Sequence, residues 1–493
     1  MGQVGPEFTK ISSGIDGLDT LLHGGFVSNR LYLAIGSPGT GKTMLGMHFL
    51  AAGHENDENV LFVHGEESRG DLVANAAELG IELSDVDFLD VGAESQFFTQ
   101  SQAYDVVNPH DIEEDHLIRD IREAIEDRDP DRVLIDPISQ LQYIEPSEYQ
   151  FRKRIIAFTR FLKDRETTVL ATKTPGAQMD DQLRSLSDGV IALERQTESR
   201  RISVTKHRGV GQRDGTHGLE IRSTGLEVFP AILPERHERT FEPVQLASGI
   251  DGLDDLLEGG LERGTVTIIS GPSGVGKTTT ATEFLHSAAV SENGGLGYLF
   301  EESIETFTHR AETFGIPVTD LRDEGSLTIE EINPLALSPE EFARLVKSQV
   351  ETQSATLVLI DGIEGYKTSI KGDDSGVDLQ ARLHALTRYL TNMNVSVILI
   401  DERHEVTGLP QPTGSTISYL ADNLIFQQYV ELDGQLQRIV GVLKKRVSGF
   451  ENGPRRFTIT GDGIEVGDPL VNVHGILEGT PVRRDAVDDH TQR

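Results

Sequence analysis

Short apolar runs alternate with longer amphipathic segments, and this alternation occurs twice along the chain. The first half contains RLYLAIG, NVLFVHG, DRVLIDP and TTVLATK, and the second half contains TVTIISG, GLGYLFE, TLVLIDG and VSVILID. Apolar runs of this length, separated by helix-like stretches, are typical of a parallel sheet buried on both faces. The pattern therefore predicts an α/β fold, with helices on both faces of each sheet. Later apolar runs, DGVIALERQ with RRISVTKHRG and DNLIFQQYV with QRIVGVLKKR, predict hairpin strands that close each sheet.

The second half of the chain repeats the first at one fixed offset. SGIDGLD begins at Ser13 and again at Ser248, 235 residues later, and the same offset relates two Gly-Lys-Thr and two Glu-Glu-Ser triplets. This indicates a tandem duplication, with a period too long for a solenoid repeat. We predict domain 1 over residues 8–229, a linker over 230–241, domain 2 over 242–468 and a polar tail over 469–493. The last residues of the tail are expected to be unstructured, and SGIDGLD is expected to form turns and a helix cap.

Each domain contains a glycine-rich phosphate loop. GSPGTGKT and GPSGVGKT both match G-x-x-x-x-G-K-[ST], and each lies between an apolar strand and a helix pattern, the context that this motif requires. Backbone N–H groups and a helix N-terminus would face the phosphates, while the lysine reaches the β- and γ-phosphates. The predicted nucleotide-binding residues are Gly36, Ser37, Pro38, Gly39, Thr40, Gly41, Lys42 and Thr43, and Gly271, Pro272, Ser273, Gly274, Val275, Gly276, Lys277 and Thr278.

Carboxylates at strand ends predict the rest of the chemistry. Asp136 and Asp361 each close an apolar run, so we expect them at the ligand edge of the sheet, holding Mg²⁺ with the hydroxyls of Thr43 and Thr278. The alternative is an Asp that simply begins a turn.

Two pairs of adjacent glutamates follow another strand of each domain. They are Glu66 with Glu67 and Glu301 with Glu302, at the same distance from the phosphate loop in both domains. Adjacent acids repel each other when desolvated, which can raise the pKa of one of them. Such a group can orient or deprotonate a water or hydroxyl that attacks the γ-phosphate. A solvated turn is the alternative for these pairs.

A basic cluster stands at the end of the predicted closing hairpin of each domain. The clusters are VTKHRG, with Lys206 and Arg208, and LKKRVSG, with Lys444 and Arg446. From the residues alone, an arginine-finger role at a neighbouring subunit and a solvated strand end are about equally supported.

The composition narrows the possible partners. The 493 residues include 80 acidic and 45 basic side chains, for a formal net charge of −35, and no Cys. Thiolate catalysis, disulfides and Cys-zinc sites are thereby excluded. Such acidity is typical of haloarchaeal cytosolic proteins, because high salt screens the repulsion; an unusually acidic mesophilic protein is the alternative. It also disfavours nucleic acid as a partner. Neither a signal peptide nor a membrane span is visible in the sequence, so we expect a cytoplasmic location.

With these elements in place, the chain resembles the KaiC family of RecA-like ATPases. SGIDGLDTLLHGGF and SGIDGLDDLLEGGL are similar to its domain openings, and VTKHRG and LKKRVSG are similar to its closing K-x-R element. The resemblance covers about residues 8–468. It implies two tandem RecA-like P-loop domains that bind ATP and Mg²⁺ in a homo-oligomeric ring, typically a hexamer. It also implies that Lys206, Arg208, Lys444 and Arg446 act on the nucleotide of the neighbouring subunit, and that unidentified protein partners exist.

One segment departs from the family pattern. Residues 414–431 are similar to the segment that carries the phosphoacceptors of the second KaiC domain, but the acceptor pair reads Ser418-Tyr419 here instead of Ser-Thr. Four functions therefore stay open. The leading one is a regulatory ATPase ring, and the second is a serine/threonine autokinase acting at Ser418, Ser415 or Thr416. The third is a recombinase-like DNA-binding ATPase, and the fourth is a nucleotide-gated scaffold without turnover.

Overall fold

The chain divides into two compact units, Met1–Ala231 and Ile232–Arg493. The division falls near the predicted end of domain 1, and most of the predicted linker lies outside the described residues. The bounds 8–229 and 242–468 remain our assignment of the domains. The computed structural model describes all residues except 1–7, 92–120, 140–147, 177–179, 197–198, 233–243, 292–293, 334, 369–375, 404–418, 433, 472, 477–481 and 484–493.

Domain 1 alternates strands and helices before ending in a run of strands. Residues 121–128 are also helical. The strands are β1 (Lys10–Ile11), β2 (Phe26–Val27), β3 (Leu31–Gly36), β4 (Val60–His64), β5 (Asp87–Asp90), β6 (Arg132–Asp136), β7 (Thr168–Lys173), β8 (Gly189–Arg195), β9 (Arg200–His207), β10 (His217–Arg222) and β11 (Gly225–Phe229). The helices are α1 (Asp16–Leu21), α2 (Lys42–His54), α3 (Arg69–Glu78), α4 (Glu148–Asp164) and α5 (Asp180–Leu186).

Domain 2 follows the same order. The strands are β12 (Gln245–Leu246), β13 (Leu261–Glu262), β14 (Val266–Pro272), β15 (Gly295–Leu299), β16 (Leu327–Glu331), β17 (Leu357–Asp361), β18 (Ser396–Arg403), β19 (Asn423–Leu432), β20 (Gln435–Lys445), β21 (Arg455–Thr460), β22 (Gly463–Pro469), β23 (Val473–His474) and β24 (Val482–Arg483). The helices are α6 (Asp251–Leu256), α7 (Lys277–Ser291), α8 (Ile304–Thr313), α9 (Val318–Asp323), α10 (Pro339–Gln353), α11 (Ile363–Thr368) and α12 (Gly376–Asn392).

The two nine-stranded sheets have equivalent strand orders. They run β11-β10-β9-β8-β3-β7-β6-β4-β5 and β22-β21-β20-β19-β14-β18-β17-β15-β16. In this spatial order, the last six strands of each sheet, from β8 onward and from β19 onward, pair in parallel. The first three strands of each sheet pair antiparallel with each other and with β8 or β19. The predicted fold class, two tandem RecA-like α/β domains with mainly parallel sheets, is confirmed. The predicted closing hairpins are β8–β9 and β19–β20.

Apolar side chains are buried on both faces of each sheet. In domain 1, Ala34, Phe62 and Leu134 belong to one core cluster, and Leu33 and Val63 belong to the cluster on the other face. Neighbouring residues of one strand thus enter different cores, as the twofold alternation of a strand requires. This explains why the central strands read as unbroken apolar runs.

The repeated SGIDGLD stretch forms the same turn and helix in both domains. The Ser13 N–H donates to Asp19 Oδ1 at 2.8 Å, and the Ser248 N–H donates to Asp254 Oδ1 at 2.7 Å. The second aspartate of the motif therefore ties the turn before α1 or α6 to the helix itself. The expected turn is present in both copies, but the expected helix cap does not form, because the residue before each helix is an isoleucine without a capping side chain.

A glycine of this motif allows a close approach to the last hairpin of its domain. A Cβ atom on Gly17 would lie 1.9 Å from Val228 O, and one on Gly252 would lie 2.5 Å from Val466 O. Both distances are too short for any side chain, so α1 and α6 can pack against β11 and β22 only with glycine at this position.

The tail differs in one respect from the expectation. Val482–Arg483 of β24 pairs antiparallel with Val473–His474 of β23, in a short two-stranded sheet. Part of the stretch expected to be unstructured therefore carries regular backbone pairing.

Candidate nucleotide-binding sites

The phosphate loop of domain 2 connects β14 to α7, which begins at Lys277. Gly276, at φ 119°, has a backbone conformation that other residues rarely adopt. A Cβ atom on Gly271 would lie 2.2 Å from Gln427 O, so the start of the loop has no room for a side chain. The loop is therefore a backbone-lined cradle, with N–H groups at a helix N-terminus.

Domain 1 builds the same loop between β3 and α2. Helix α2 begins at Lys42, after Gly41 at φ 101°. The ammonium group of Lys42 donates to Ser37 O at 3.0 Å, and that of Lys277 donates to Pro272 O at 2.9 Å. Both lysines therefore fold back over the loop that precedes them, which places their charges inside the cradle.

Burial lowers the pKa of both loop lysines, and nearby carboxylates oppose this shift. For Lys42 the opposing groups are Asp136 and Glu66. Lys277 is only 6% exposed, and it faces Glu402, Asp361, Glu301 and Asp401. The structure thus brings the lysine, the strand-end aspartate and the first glutamate of the pair together in each domain. The roles predicted for these residues remain predictions.

A cleft of about 510 Å³ opens over the domain 2 loop. Its walls combine the loop with carboxylates, two arginines and several apolar side chains. The lining residues are Ser273, Gly274, Gly276, Lys277, Thr278, Thr279, Leu299, Glu301, Glu302, Arg310, Phe314, Asp361, Ile400, Glu402, Arg438 and Ile459.

The predicted magnesium aspartates have different hydroxyl partners in the two domains. Asp361 is buried, which raises its pKa to about 6 against the opposing effect of a hydrogen bond from the Thr278 hydroxyl. Asp136 is half-buried and accepts a hydrogen bond from the Thr172 hydroxyl. The predicted metal ligands Thr278 and Asp361 are therefore in contact in domain 2.

This donor set suits Mg²⁺ bound together with a triphosphate. The described residues contain no cluster of three or more His, Asp or Glu side chains arranged to hold a metal ion. Protein sites for Mg²⁺ usually supply only one or two carboxylates and take the remaining ligands from phosphates and water. One carboxylate beside one hydroxyl at the mouth of a phosphate cradle fits that arrangement.

The Glu-Glu-Ser triplets lie between β4 and α3 in domain 1 and between β15 and α8 in domain 2. Ser68 and Ser303 cap α3 and α8 by accepting the N–H groups of Asp71 and Thr306, so the serine of each triplet is structural. The two glutamates before each serine consequently lie just beyond the C-terminal ends of β4 and β15.

The second glutamate of each pair has a different partner in each domain. Arg310 forms a bidentate ion pair with Glu302, with N–O distances of 2.8 and 2.6 Å. At the same offset in domain 1, Asn75 donates to Glu67 Oε2 at 3.3 Å. A bidentate ion pair in domain 2 thus stands where a single hydrogen bond from an uncharged amide stands in domain 1.

The pKa of Glu301 is raised, but not by the neighbour that the sequence suggests. Burial is the main cause, followed by the carboxylate of Glu402 on another strand. Glu302, the adjacent residue, is engaged with Arg310. The expected repulsion within the pair is therefore replaced in domain 2 by repulsion across the cleft.

Comparison with known proteins gives the family. A family model for the KaiC ATPases matches residues 11–232 and 246–471. The chain belongs to the KaiC family. It is 27% identical to the circadian clock oscillator protein KaiC of Acaryochloris marina over 497 residues, which covers 97% of this chain and 92% of that protein. It is 28% identical to KaiC of Prochlorococcus marinus strain MIT 9313 over 492 residues, which covers 96% of both chains.

The K-x-R residues lie at the open ends of the hairpins β8–β9 and β19–β20, away from their turns, and they contact their own domain. Lys206 donates to Arg184 O at 2.8 Å, and Arg208 donates to Ser185 O at 2.9 Å and lies 3.7 Å from Asp188. These residues hold the end of α5 against β9. Arg208 is nevertheless exposed.

The second K-x-R element repeats this arrangement. Lys444 donates to Ala421 O, and Arg446 lies 3.4 Å from Asp422. Neither residue lines the described cleft of domain 2.

Sequence reasoning missed several residues of the domain 2 cleft. Arg310, Glu402 and Arg438 all line it, and the Tyr429 hydroxyl donates to Gly274 O at 2.7 Å. Glu402 lies in LIDERHE, a stretch that differs visibly from LATKTPG of domain 1. That difference between the two copies was the signal for Glu402.

Two further sequence predictions can be compared with the structure. Ser415, Thr416 and Ser418 lie outside the described residues, whereas the neighbouring Tyr419 is 48% exposed, with its ring 5.9 Å from that of His384. Across the described part of the chain, no helix is both long and apolar enough to cross a membrane.

Proposed function

We propose that both domains of this KaiC family member bind ATP with Mg²⁺ and hydrolyse it. One observation carries this proposal. Each phosphate-loop lysine faces the strand-end aspartate and the first glutamate of the pair, Lys42 in domain 1 and Lys277 in domain 2. The aspartate ends one strand, and the glutamate and the lysine follow two others, so their convergence in both domains supports a triphosphate site.

The backbone N–H groups of the loop, from Gly36 to Thr43 and from Gly271 to Thr278, would bind the β- and γ-phosphates. Lys42 and Lys277 would neutralise charge on the oxygen between these phosphates as ADP leaves. Thr43 with Asp136 and Thr278 with Asp361 would hold Mg²⁺, which supplies further charge neutralisation when bound.

The glutamate pairs would handle the attacking water. Glu301, with its raised pKa, would accept a proton from water as the water oxygen bonds to the γ-phosphorus and the bond to the ADP oxygen breaks. Glu302, through its ion pair with Arg310, would hold Glu301 in position. Glu66 and Glu67 would act correspondingly in domain 1.

The K-x-R residues support a homo-oligomeric ring. Lys206 and Arg208, with Lys444 and Arg446, would reach the nucleotide of a neighbouring copy, and a hexamer is the size implied by the family resemblance. Such a ring would act in the cytoplasm as a regulatory ATPase, with protein partners that read its nucleotide state.

Turnover by single-site variants tests the enzymatic proposal. Phosphate release would be compared for the wild type, Lys42→Ala, Lys277→Ala and the double variant, in high KCl with Mg-ATP. Each single variant should lose the contribution of one domain, and the double variant should lose all turnover. Equal, negligible turnover by all four folded proteins would contradict hydrolysis and favour the nucleotide-gated scaffold.

Native mass measurement tests the ring. The wild type should assemble on addition of Mg-ATP, and Arg208→Ala should weaken that assembly or its turnover. A monomer under all nucleotide conditions would contradict the ring.

Autokinase activity is the second candidate, and Ser418 is its motivating residue. Phosphate on Ser418, Ser415 or Thr416 after incubation with ATP, detected by mass spectrometry, would support it. Incubation without any such phosphate would leave hydrolysis as the only reaction. Binding to DNA that weakens steeply with salt would support the recombinase-like alternative.

A further inference from the structure

One acidic strand end distinguishes the two proposed nucleotide sites. In domain 2, β18 lies beside the phosphate-loop strand β14, with Ser270 opposite Asp401 and Gly271 opposite Glu402. The backbone of Glu402 therefore lies directly beside Gly271, the first residue of the loop. Its side chain lines the cleft together with Lys277.

The corresponding strand end in domain 1 has the opposite character. Ile35, the counterpart of Ser270, lies opposite Lys173 of β7, and Thr174 follows. Lys173 and Thr174 therefore take the places of Asp401 and Glu402. The formal charge of these two positions is three units more negative in domain 2.

Each site must bind the same highly negative triphosphate. In domain 1 the loop lysine faces two carboxylates, whereas in domain 2 it faces four, with Glu402 contributing most. Arg310 and Arg438 add positive charge to the domain 2 cleft, but Arg310 is already paired with Glu302, and four carboxylates still face the lysine. Triphosphate binding by domain 2 therefore needs a divalent cation more than binding by domain 1, because the lysine alone does not neutralise the additional carboxylates.

We propose that Glu402 makes triphosphate binding by domain 2 depend more strictly on a divalent cation than binding by domain 1. This inference rests on the proposed nucleotide sites. Two unit charges within several ångströms at a partly buried site alter affinity by about tenfold or more. The difference between the domains should therefore be measurable as a binding constant, without turnover.

The experiment uses the full chain and a fluorescent ATP analogue, mant-ATP, at fixed KCl concentration. Lys42→Ala reports binding by domain 2, and Lys277→Ala reports binding by domain 1. Replacing MgCl₂ with EDTA should weaken binding by domain 2 about tenfold more than binding by domain 1. An equal loss in both domains would overturn the proposal.

Variants at the strand end identify the responsible group. Glu402→Gln, combined with Lys42→Ala, should restore binding in EDTA, whereas Glu402→Asp should not. The reciprocal Thr174→Glu, combined with Lys277→Ala, should make domain 1 more dependent on Mg²⁺. Unchanged binding in EDTA by Glu402→Gln, in a variant with a wild-type circular dichroism spectrum, would overturn the role of Glu402. Absence of binding by both single-site variants in Mg²⁺ would instead contradict the nucleotide sites themselves.

Discussion

The two domains share strand order, phosphate loops and opening motif, yet their charged groups are arranged differently. Around the proposed site, domain 2 has Arg310 and Glu402 where domain 1 has Asn75 and Thr174. The duplicated parts are those that fix the backbone near the phosphates. The divergent parts are side chains on the cleft wall outside the phosphate loop, where a substitution changes the charge of the site without changing the path of the backbone.

The same contrast occurs in the interior. Arg132, only 1% exposed, begins β6 in domain 1, where β17 of domain 2 begins with Leu357. The guanidinium of Arg132 donates to Glu58, to Ser12 O at 2.7 Å and to Phe49 O at 2.9 Å. Domain 1 thus ties its opening segment to its sheet through one buried cation, whereas domain 2 has an apolar residue at that position.

The largest expected effect comes from making this position alike in both domains. Arg132→Leu should destabilise domain 1 by about 3 kcal/mol or more, because it leaves the Glu58 carboxylate and two carbonyl groups without their donor. Differential scanning calorimetry of the full chain should show one transition moved to lower temperature and the other unchanged.

The matched control for this variant is Arg122→Leu. Arg122 is 60% exposed in its side chain and pairs with Glu126 on the surface, so its loss should change stability by no more than about 0.5 kcal/mol. Comparable shifts for the two variants would show that the buried network of Arg132 contributes nothing specific.

A smaller effect is expected from exchanging the glutamate partners. Arg310→Asn, in the Lys42→Ala background, should weaken Mg-ATP binding by domain 2 about tenfold, because it removes a cation from the cleft and exposes the charge of Glu302. Binding by mant-ATP titration measures this loss.

The reciprocal substitution sharpens the comparison. Asn75→Arg, in the Lys277→Ala background, should leave binding by domain 1 unchanged or tighten it. Weaker binding in this variant, or unaltered binding in Arg310→Asn, would show that the partner of the second glutamate does not control affinity.

The smallest effect is a difference in acid sensitivity. Burial lowers the pKa of His48, whose Nε2 accepts the Leu226 N–H at 2.9 Å, and domain 2 has Glu283 at the matching position. The unfolded chain then binds a proton more readily than the folded one, so this stability is present above pH of about 6.5 and lost as the pH falls. Calorimetry at pH 7.5 and 5.5 should show the transition that Arg132→Leu identifies as domain 1 falling further than in His48→Gln. An equal fall in both proteins would exclude His48 as the source.

Much of the fold was predictable because the central strands are buried on both faces and therefore read as apolar runs. Strands β5, β10 and β11 were not predicted: DFLD and GLEVF are the two edge strands of the sheet, HGLEIR lies beside GLEVF, and polar residues interrupt the apolar pattern in all three. The phosphate loops were predictable because their chemistry is written in consecutive residues. The cleft positions of Arg310 and Glu402 were not, since they depend on how separate elements meet in space.

The close contact between the opening helix and the final hairpin of each domain has a consequence for how such a protein can arise. Because Gly17 meets Val228, and Gly252 meets Val466, the two ends of each copy are fastened to one another. A stretch of gene cut at those ends encodes a self-closing packing unit. Duplication of this whole stretch adds a second folded unit and leaves the hydrophobic core of the first unit intact.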